Sequence, residues 1–144
     1  KKSMARVVRS VEGFRKELNV GDVFWHMTSL YGAPYEIVGP CVISAFLMDR
    51  QFGLLMVRYT CADADEEVIK EKNIGDLTNQ CHGVFLSAAD AYEYFEMRKR
   101  EYTQDPELIA KTAREREEDN RRSYIYSRLV VGVGTKRNCL ARRN

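Results

Sequence analysis

The chain has 144 residues, 44% of them hydrophobic and 31% charged, with a formal net charge of +2. That size suits one compact domain with an appendage and excludes two full domains, since a domain of this length buries roughly two-thirds of its unfolded surface. The uncharged run from Ile37 to Met48, which ends at Asp49, is too short to span a bilayer and is broken by Gly39 and Pro40. No membrane partner is expected, and the chain reads as soluble and cytoplasmic. The opening Lys1-Lys2-Ser3-Met4 reads as a trimmed or tagged start. Beneath the small net charge lies a strong sorting. Residues 21–97 hold four cations against twelve acids, while residues 1–20 hold six against two and residues 98–144 thirteen against seven. Segregation of this kind bears on partners and association rather than on fold.

Taken in order, Val7, Val8, Val11, Phe14 and Leu18 recur at steps of three and four between charged residues, which predicts an amphipathic helix within residues 1–19. Asn19-Val20-Gly21-Asp22 ends it. From Val23 the composition turns β-branched and aromatic, and strands are expected near Val23 to Met27, Tyr35 to Leu47, Leu54 to Cys61, Glu67 to Lys70 and Gly83 to Leu86. Gly39-Pro40 inside the second strand reads as a bulge or sharp bend, because proline cannot donate to a central ladder. Short strands joined by hairpins, one of them bent, favour a small closed antiparallel barrel over a flat sheet.

Ser87 then opens a helix with Asp90 three residues later, in the manner of a capping box, and Ala88, Ala91, Tyr92, Phe95 and Tyr102 form its expected buried stripe. Asp105 and Pro106 cap and start another helix. From Arg114 to Ser123 there is no apolar side chain, and oppositely charged residues recur at four-residue spacing, which makes a solvated arm. Tyr124-Ile125-Tyr126 and Leu129-Val130-Val131 regain apolar character, as a last strand or a docking segment, and Thr135 to Asn144 form a basic, frayed end. The expected class is therefore α+β: an N-terminal helix over residues 1–19, a barrel with its closing helix over 20–102, and a charged helical arm with a basic tail over 103–144, giving two C-terminal helices in all.

Two segments carry a family resemblance. Val20-Gly21-Asp22-Val23-Phe24-Trp25, with the strand through Ile43, is similar to the opening of SH3-like barrels of the Tudor and transcription-elongation kind. Gly83-Val84-Phe85-Leu86-Ser87-Ala88-Ala89-Asp90-Ala91 resembles the end of small barrel proteins from phages and mobile elements, where such a strand runs into a Ser- or Thr-capped helix. The resemblance covers roughly residues 20–100. It implies a small SH3-like antiparallel β-barrel whose members bind other molecules rather than transform them. Trp25, Tyr31 and Tyr35 could supply part of a cation-binding aromatic cage, with core packing as the competing use.

Chemistry leaves few traces. The candidate metal ligands Cys41, Cys61, Cys81, His82 and His26 include no CxxC or HxxxH pair, so no metal or other cofactor is expected. The four cysteines read as reduced thiols rather than as a disulfide framework. No serine elbow accompanies the two histidines, Gly132-Val133-Gly134-Thr135-Lys136 lacks phosphate-loop spacing and reads as a flexible turn, and no catalytic residue is assigned. What remains is charge and exposed aromatic surface. The basic candidates are Arg6, Arg9, Arg15, Lys16, Arg98, Lys99, Arg100, Arg121, Arg122, Arg128, Lys136 and Arg137, and the acidic face is Asp63, Asp65, Glu66, Glu67 and Asp76. Trp25, Tyr31, Tyr35, Tyr124 and Tyr126 are candidate interface residues. The leading expectation is a non-enzymatic binding protein whose partner is a protein or nucleoprotein. With the mobile-element resemblance, that implies an inhibitor of a host defence nuclease, of the anti-CRISPR kind. Two alternatives stand beside it: a nucleic-acid-binding accessory protein using the basic arms, and a homo-oligomer assembling through residues 124–131.

Overall fold

The computed structural model describes residues 4–79 and 83–143, with side chains described up to Leu129. The chain divides into two units, Lys1–Gln104 and Asp105–Asn144. The first contains α1 (Val11–Glu17), β1 (Val23–Leu30), β2 (Ala33–Asp49), β3 (Leu54–Asp63), β4 (Glu66–Asn73), α2 (Ile74–Asn79), β5 (Val84–Phe85) and α3 (Ala88–Gln104); the second contains α4 (Pro106–Arg143). The fold is α+β, and all five strands pair antiparallel in one sheet of order β4-β3-β2-β1-β5.

Local chemistry sets the strand connections. Leu30 pairs with Ala33 across a two-residue loop of Tyr31 and Gly32 at φ 53° and 83°, and Asp63 pairs with Glu66 across Ala64 and Asp65 at φ 51° and 69°. Two successive positive φ angles give the backbone twist that a tight hairpin needs. Further along β2, Phe24 pairs with Cys41 but His26 with Val38, so Gly39 and Pro40 both lie opposite Trp25. That bulge is how a central strand accommodates a proline, and it falls at the expected position.

Burial explains where the helices sit. In β1, Phe24 and His26 face one core while Trp25 and Met27 face another, and Phe24 and Met27 are fully buried. The larger core joins Phe24 to Phe14 of α1, Cys41 and Ile43 of β2, Val57, Tyr59 and Cys61 of β3, and Ile74 and Leu77 of α2. Phe14 meets the Phe24 ring edge-on at 5.4 Å, a geometry that aromatic quadrupoles favour. On the opposite face, Met27 and Phe85 pack with Ala91 and Tyr94 of α3. The Ser87 hydroxyl accepts from the Asp90 amide at 3.1 Å, as the capping pattern predicts.

Several expectations change. The sheet does not close into a barrel: β4 and β5 lie at opposite ends of the strand order. β5 is only two residues long, and beyond Val68 the positions of β4 opposite the buried Tyr59 and Val57 are Lys70 and Lys72, which cannot build a closing core. The first helix is shorter than its apolar periodicity: Val8 lies in extended chain, exchanging both backbone hydrogen bonds with Val84, and Ser10 caps α1 by accepting from the Gly13 amide at 2.9 Å. α2 has no counterpart among the predicted elements, because six residues with a glycine at the second position carry no helical period; Asn73 starts it by accepting from the Gly75 amide at 2.7 Å. In α3, Tyr94 rather than Tyr92 is buried. Tyr124 to Val131 is no strand, and Gly132 to Lys136 is no turn, since α4 runs through both. Its backbone is satisfied within the helix.

At the bulge, Gly39 has φ 152°, and an added Cβ would fall within the indole of Trp25. Gly39→Ala is expected to lower unfolding free energy by about 2 kcal/mol through overpacking and backbone strain. Chemical denaturation of both proteins measures it, and an unchanged midpoint would show that Trp25 does not hold the bulge in place.

Candidate functional site

The second unit is a helix of 38 residues. Asp105 starts it: its carboxylate accepts from the Glu107 amide at 3.0 Å and the Leu108 amide at 3.3 Å, and Pro106 takes the first helical position. Along the polar middle, Lys111 pairs with Glu115 at 3.9 Å and Arg122 with Glu118 at 2.7 Å, each four residues apart. Exposed pairs of this kind support a helix only slightly. Beyond them, Tyr124, Ile125, Tyr126 and Leu129 are 62%, 52%, 68% and 64% exposed. Four large apolar side chains within six residues spread over about half of the helix surface, Ile125 and Leu129 one turn apart with Tyr124 and Tyr126 to either side, and Arg121, Arg122 and Arg128 lie among them. Arg128 turns back on the patch, with its guanidinium 5.9 Å from the Tyr124 ring and 3.4 Å from its hydroxyl.

The basic candidates do not form a uniform free surface. Arg6 pairs with Glu17, Arg9 donates to the Tyr94 hydroxyl at 2.9 Å, and Arg15 lies over the Phe46 ring at 4.6 Å. Those three cations tie the N-terminal segment to its own unit. Arg98 pairs with Glu101 at 2.9 Å and Lys99 sits 5.9 Å from the Phe95 ring, both on α3. Lys16, Arg100 and Arg121 are exposed. Lys136 and Arg137 lie on α4 beyond the described side chains.

Most of the acidic face does converge. Asp65, Glu66 and Glu67, at the tip of the β3–β4 hairpin, line an open groove of about 400 Å³ with Pro40, Val42, Thr60, Cys61 and Ala62. Asp63 flanks the same turn and pairs with Lys70 at 3.8 Å. Asp76 stands apart, in the first turn of α2. The groove floor comes from two neighbouring strands, because Val42 pairs with Thr60. No local motif announces a surface assembled by strand register. The aromatic candidates separate: Trp25 packs beside Gly39 in the α3-facing core, Tyr31 sits in the hairpin turn, and Tyr35 is 62% exposed two pairs from that turn. Trp25 is thus a core residue.

Among the described residues, the candidate metal ligands His26, Cys41 and Cys61 are buried. His26 is 5% exposed, with its ring between Phe24 at 6.3 Å and Tyr59 at 6.4 Å. Burial, reinforced by Lys72 and Lys70, lowers its pKa to about 4. A histidine so enclosed cannot reach a substrate. Cys41 and Cys61 are free, buried thiols whose strand positions face each other, and burial together with the neighbouring Cys61 thiol raises Cys41 to about 12. Among the described residues no group of three or more His, Cys, Asp or Glu is placed to hold a metal ion, and no helix is long and apolar enough to cross a membrane. Cys81 and His82 lie outside the described residues.

The lowered His26 pKa has a definite sign for stability. The unfolded chain binds the proton more readily, so stability is fully present above pH 6.5 and is lost as pH falls toward 4. The loss attributable to this group is about 3 kcal/mol by pH 4, because each tenfold difference in proton affinity between the two states is worth roughly 1.4 kcal/mol. Denaturation at pH 7 and pH 4 measures it, and His26→Phe is expected to flatten that portion of the profile; an equally steep loss in the variant would assign the acid sensitivity to other groups.

No protein-family model matches the chain, and comparisons with curated proteins and with solved structures find no similar protein.

Proposed function

We propose that this chain is a non-enzymatic binding protein whose docking element is α4. The observation that carries the reading is the patch of Tyr124, Ile125, Tyr126 and Leu129, each more than half exposed on a helix whose preceding two turns are wholly polar. Exposed aromatic and aliphatic side chains interspersed with arginine are the residue types enriched at interface centres. The enclosure of His26 supports a role without acid–base chemistry. The strand order, in which β5 returns to pair with β1, and the bend in β2 support a relation to SH3-like barrels in opened form, a class that binds.

A photo-crosslinking residue in place of Tyr126, in the full chain expressed in cells, tests the docking role. It is expected to yield a discrete product of higher mass, reduced about tenfold or more by Ile125→Glu with Leu129→Glu, a loss in the range of interface anchors. Both positions are exposed, so circular dichroism is expected to remain unchanged. A crosslinker at Tyr126 that gives no product would overturn α4 as the docking element.

The β3–β4 hairpin favours a second reading, in which an acidic tip beside a groove mimics nucleic acid toward a defence nuclease. Cleavage assays with a panel of such nucleases test it. Inhibition that disappears with Glu66→Lys and Glu67→Lys supports it, and cleavage unaffected by the protein across the panel ends it.

A further inference from the structure

We infer that the groove beside the β3–β4 hairpin takes an arginine side chain presented by a partner protein. The inference rests on that hairpin being a binding surface, as in the second reading above, and adds the chemistry of what it receives. It does not depend on α4.

Strand pairing builds the floor. Val42 pairs with Thr60 and Thr60 with Ile69, so the three stand in one row across β2, β3 and β4. Their strand neighbours Cys41, Ile43, Tyr59 and Cys61 are buried in the larger core, which turns the row to the opposite face of the sheet. There Val42 is 39% and Ile69 69% exposed. The pairing of β2 with β3 begins only at Val42, two residues after Pro40, which has no amide hydrogen to give. Where the strands part, Pro40 and Ala62 extend the apolar floor of a groove of about 400 Å³. Pockets for small ligands span about 300–1,000 Å³, so an open groove at the lower end of that range suits one extended side chain better than a helix.

The wall of the groove is acidic. Ala62 pairs with Glu67, which puts that residue on the same face as the row. Asp65, in the turn, and Glu66 complete the acidic side. Asp63 has Lys70 as its partner, but among the described residues no cation pairs with Asp65, Glu66 or Glu67. Uncompensated carboxylates beside an apolar floor are complementary to a side chain with an aliphatic stem and a cationic head. Its methylenes lie over Pro40, Val42 and Ala62, and its charge lies among the carboxylates.

Arginine fits this better than lysine. Its planar head carries five N–H donors, can serve more than one carboxylate, and gives up its hydration more readily than an ammonium. Ile69 stands two strand spacings from Val42, about 10 Å, and offers a contact to an apolar residue near that arginine in the partner. An anionic ligand, nucleic acid included, is repelled from the same place.

The probe is a blocked pentapeptide, Leu-Gly-Arg-Gly-Leu, titrated to roughly 10 mM into the isotope-labelled full chain, a range suited to so small a ligand. Saturable shifts are expected in the amide resonances of Val42, Thr60, Ala62 and Glu67, with weaker binding at about 1 M salt than at about 0.1 M. The citrulline peptide, which keeps the shape and loses the charge, is expected to bind about tenfold more weakly or worse, and the lysine peptide severalfold more weakly. Glu66→Gln with Glu67→Gln is expected to weaken the arginine peptide about tenfold or more, and Ile69→Ser severalfold. All three positions are exposed, and the unshifted remainder of the amide spectrum reports an intact fold.

Equal binding of the citrulline or lysine peptide would overturn the arginine assignment. No saturable shift, or shifts as large around Asp76 and Glu96 as around the groove, would overturn the site itself. If dilution of the chain without peptide moves the same amides, the occupant is a second copy and the partner-protein assignment falls. Arginine binding beside nucleases that cleave unimpeded upholds the inference and removes the nuclease as partner. Nuclease inhibition without any response to the peptide removes the inference alone.

Discussion

The first unit depends on a strand that is buried on both sides. β1 sends Phe24 and His26 toward α1 and α2, and Trp25 and Met27 toward α3, so neither face of the sheet can be left to water at that point. A strand with apolar residues on both faces requires two layers of cover. The chain supplies them from both ends of the sheet: α1 before it, α2 and α3 after β4. The Val8–Val84 bridge then ties the N-terminal segment to the last strand. Several of the N-terminal cations belong to this same assembly, which is why Arg6, Arg9 and Arg15 meet internal partners instead of an external phosphate.

Much of this is legible in the sequence, and the reasons are local. Val23, Leu54 and Val84 stand at or beside the start of runs rich in β-branched and aromatic residues; Asp105-Pro106 and Ser87 are capping signals whose hydrogen bonds form as the residue types dictate. Gly39-Pro40 announces a bulge or sharp bend because a proline inside a central strand cannot donate to the ladder, and the bulge is the outcome observed. What sequence pattern misses is tertiary. Val7 and Val8 fit a helical period by coincidence of spacing, and the Ser10 cap together with the pairing to Val84 decides against it. Val130, Val131 and Val133 favour strand by propensity, yet α4 continues through them; propensity is a weak prior when a helix already satisfies its own backbone.

The functional surfaces divide in the same way. The apolar return at Tyr124 can be read directly, since ten residues without an apolar side chain precede it. The acidic residues of the β3–β4 hairpin are visible as a cluster, but not the groove beside them, whose floor joins Val42 to Thr60 across strands eighteen residues apart in sequence. Charge sorting along the chain is a coarse guide, because side chains that count as one basic arm in sequence take part in separate contacts once folded.

The edge formed by β4 carries a quieter consequence. Glu66, Glu67, Lys70, Glu71 and Lys72 occupy five of its eight residues, so an incoming backbone that tried to extend the ladder would meet fixed charge at most positions. Natural sheets use this device against runaway stacking into fibrils. An unclosed sheet is ordinarily a hazard to solubility at high concentration; here the ionic fringe guards the border, and Ile69, 69% exposed, stands alone among those charges without an apolar companion along the strand's outward row.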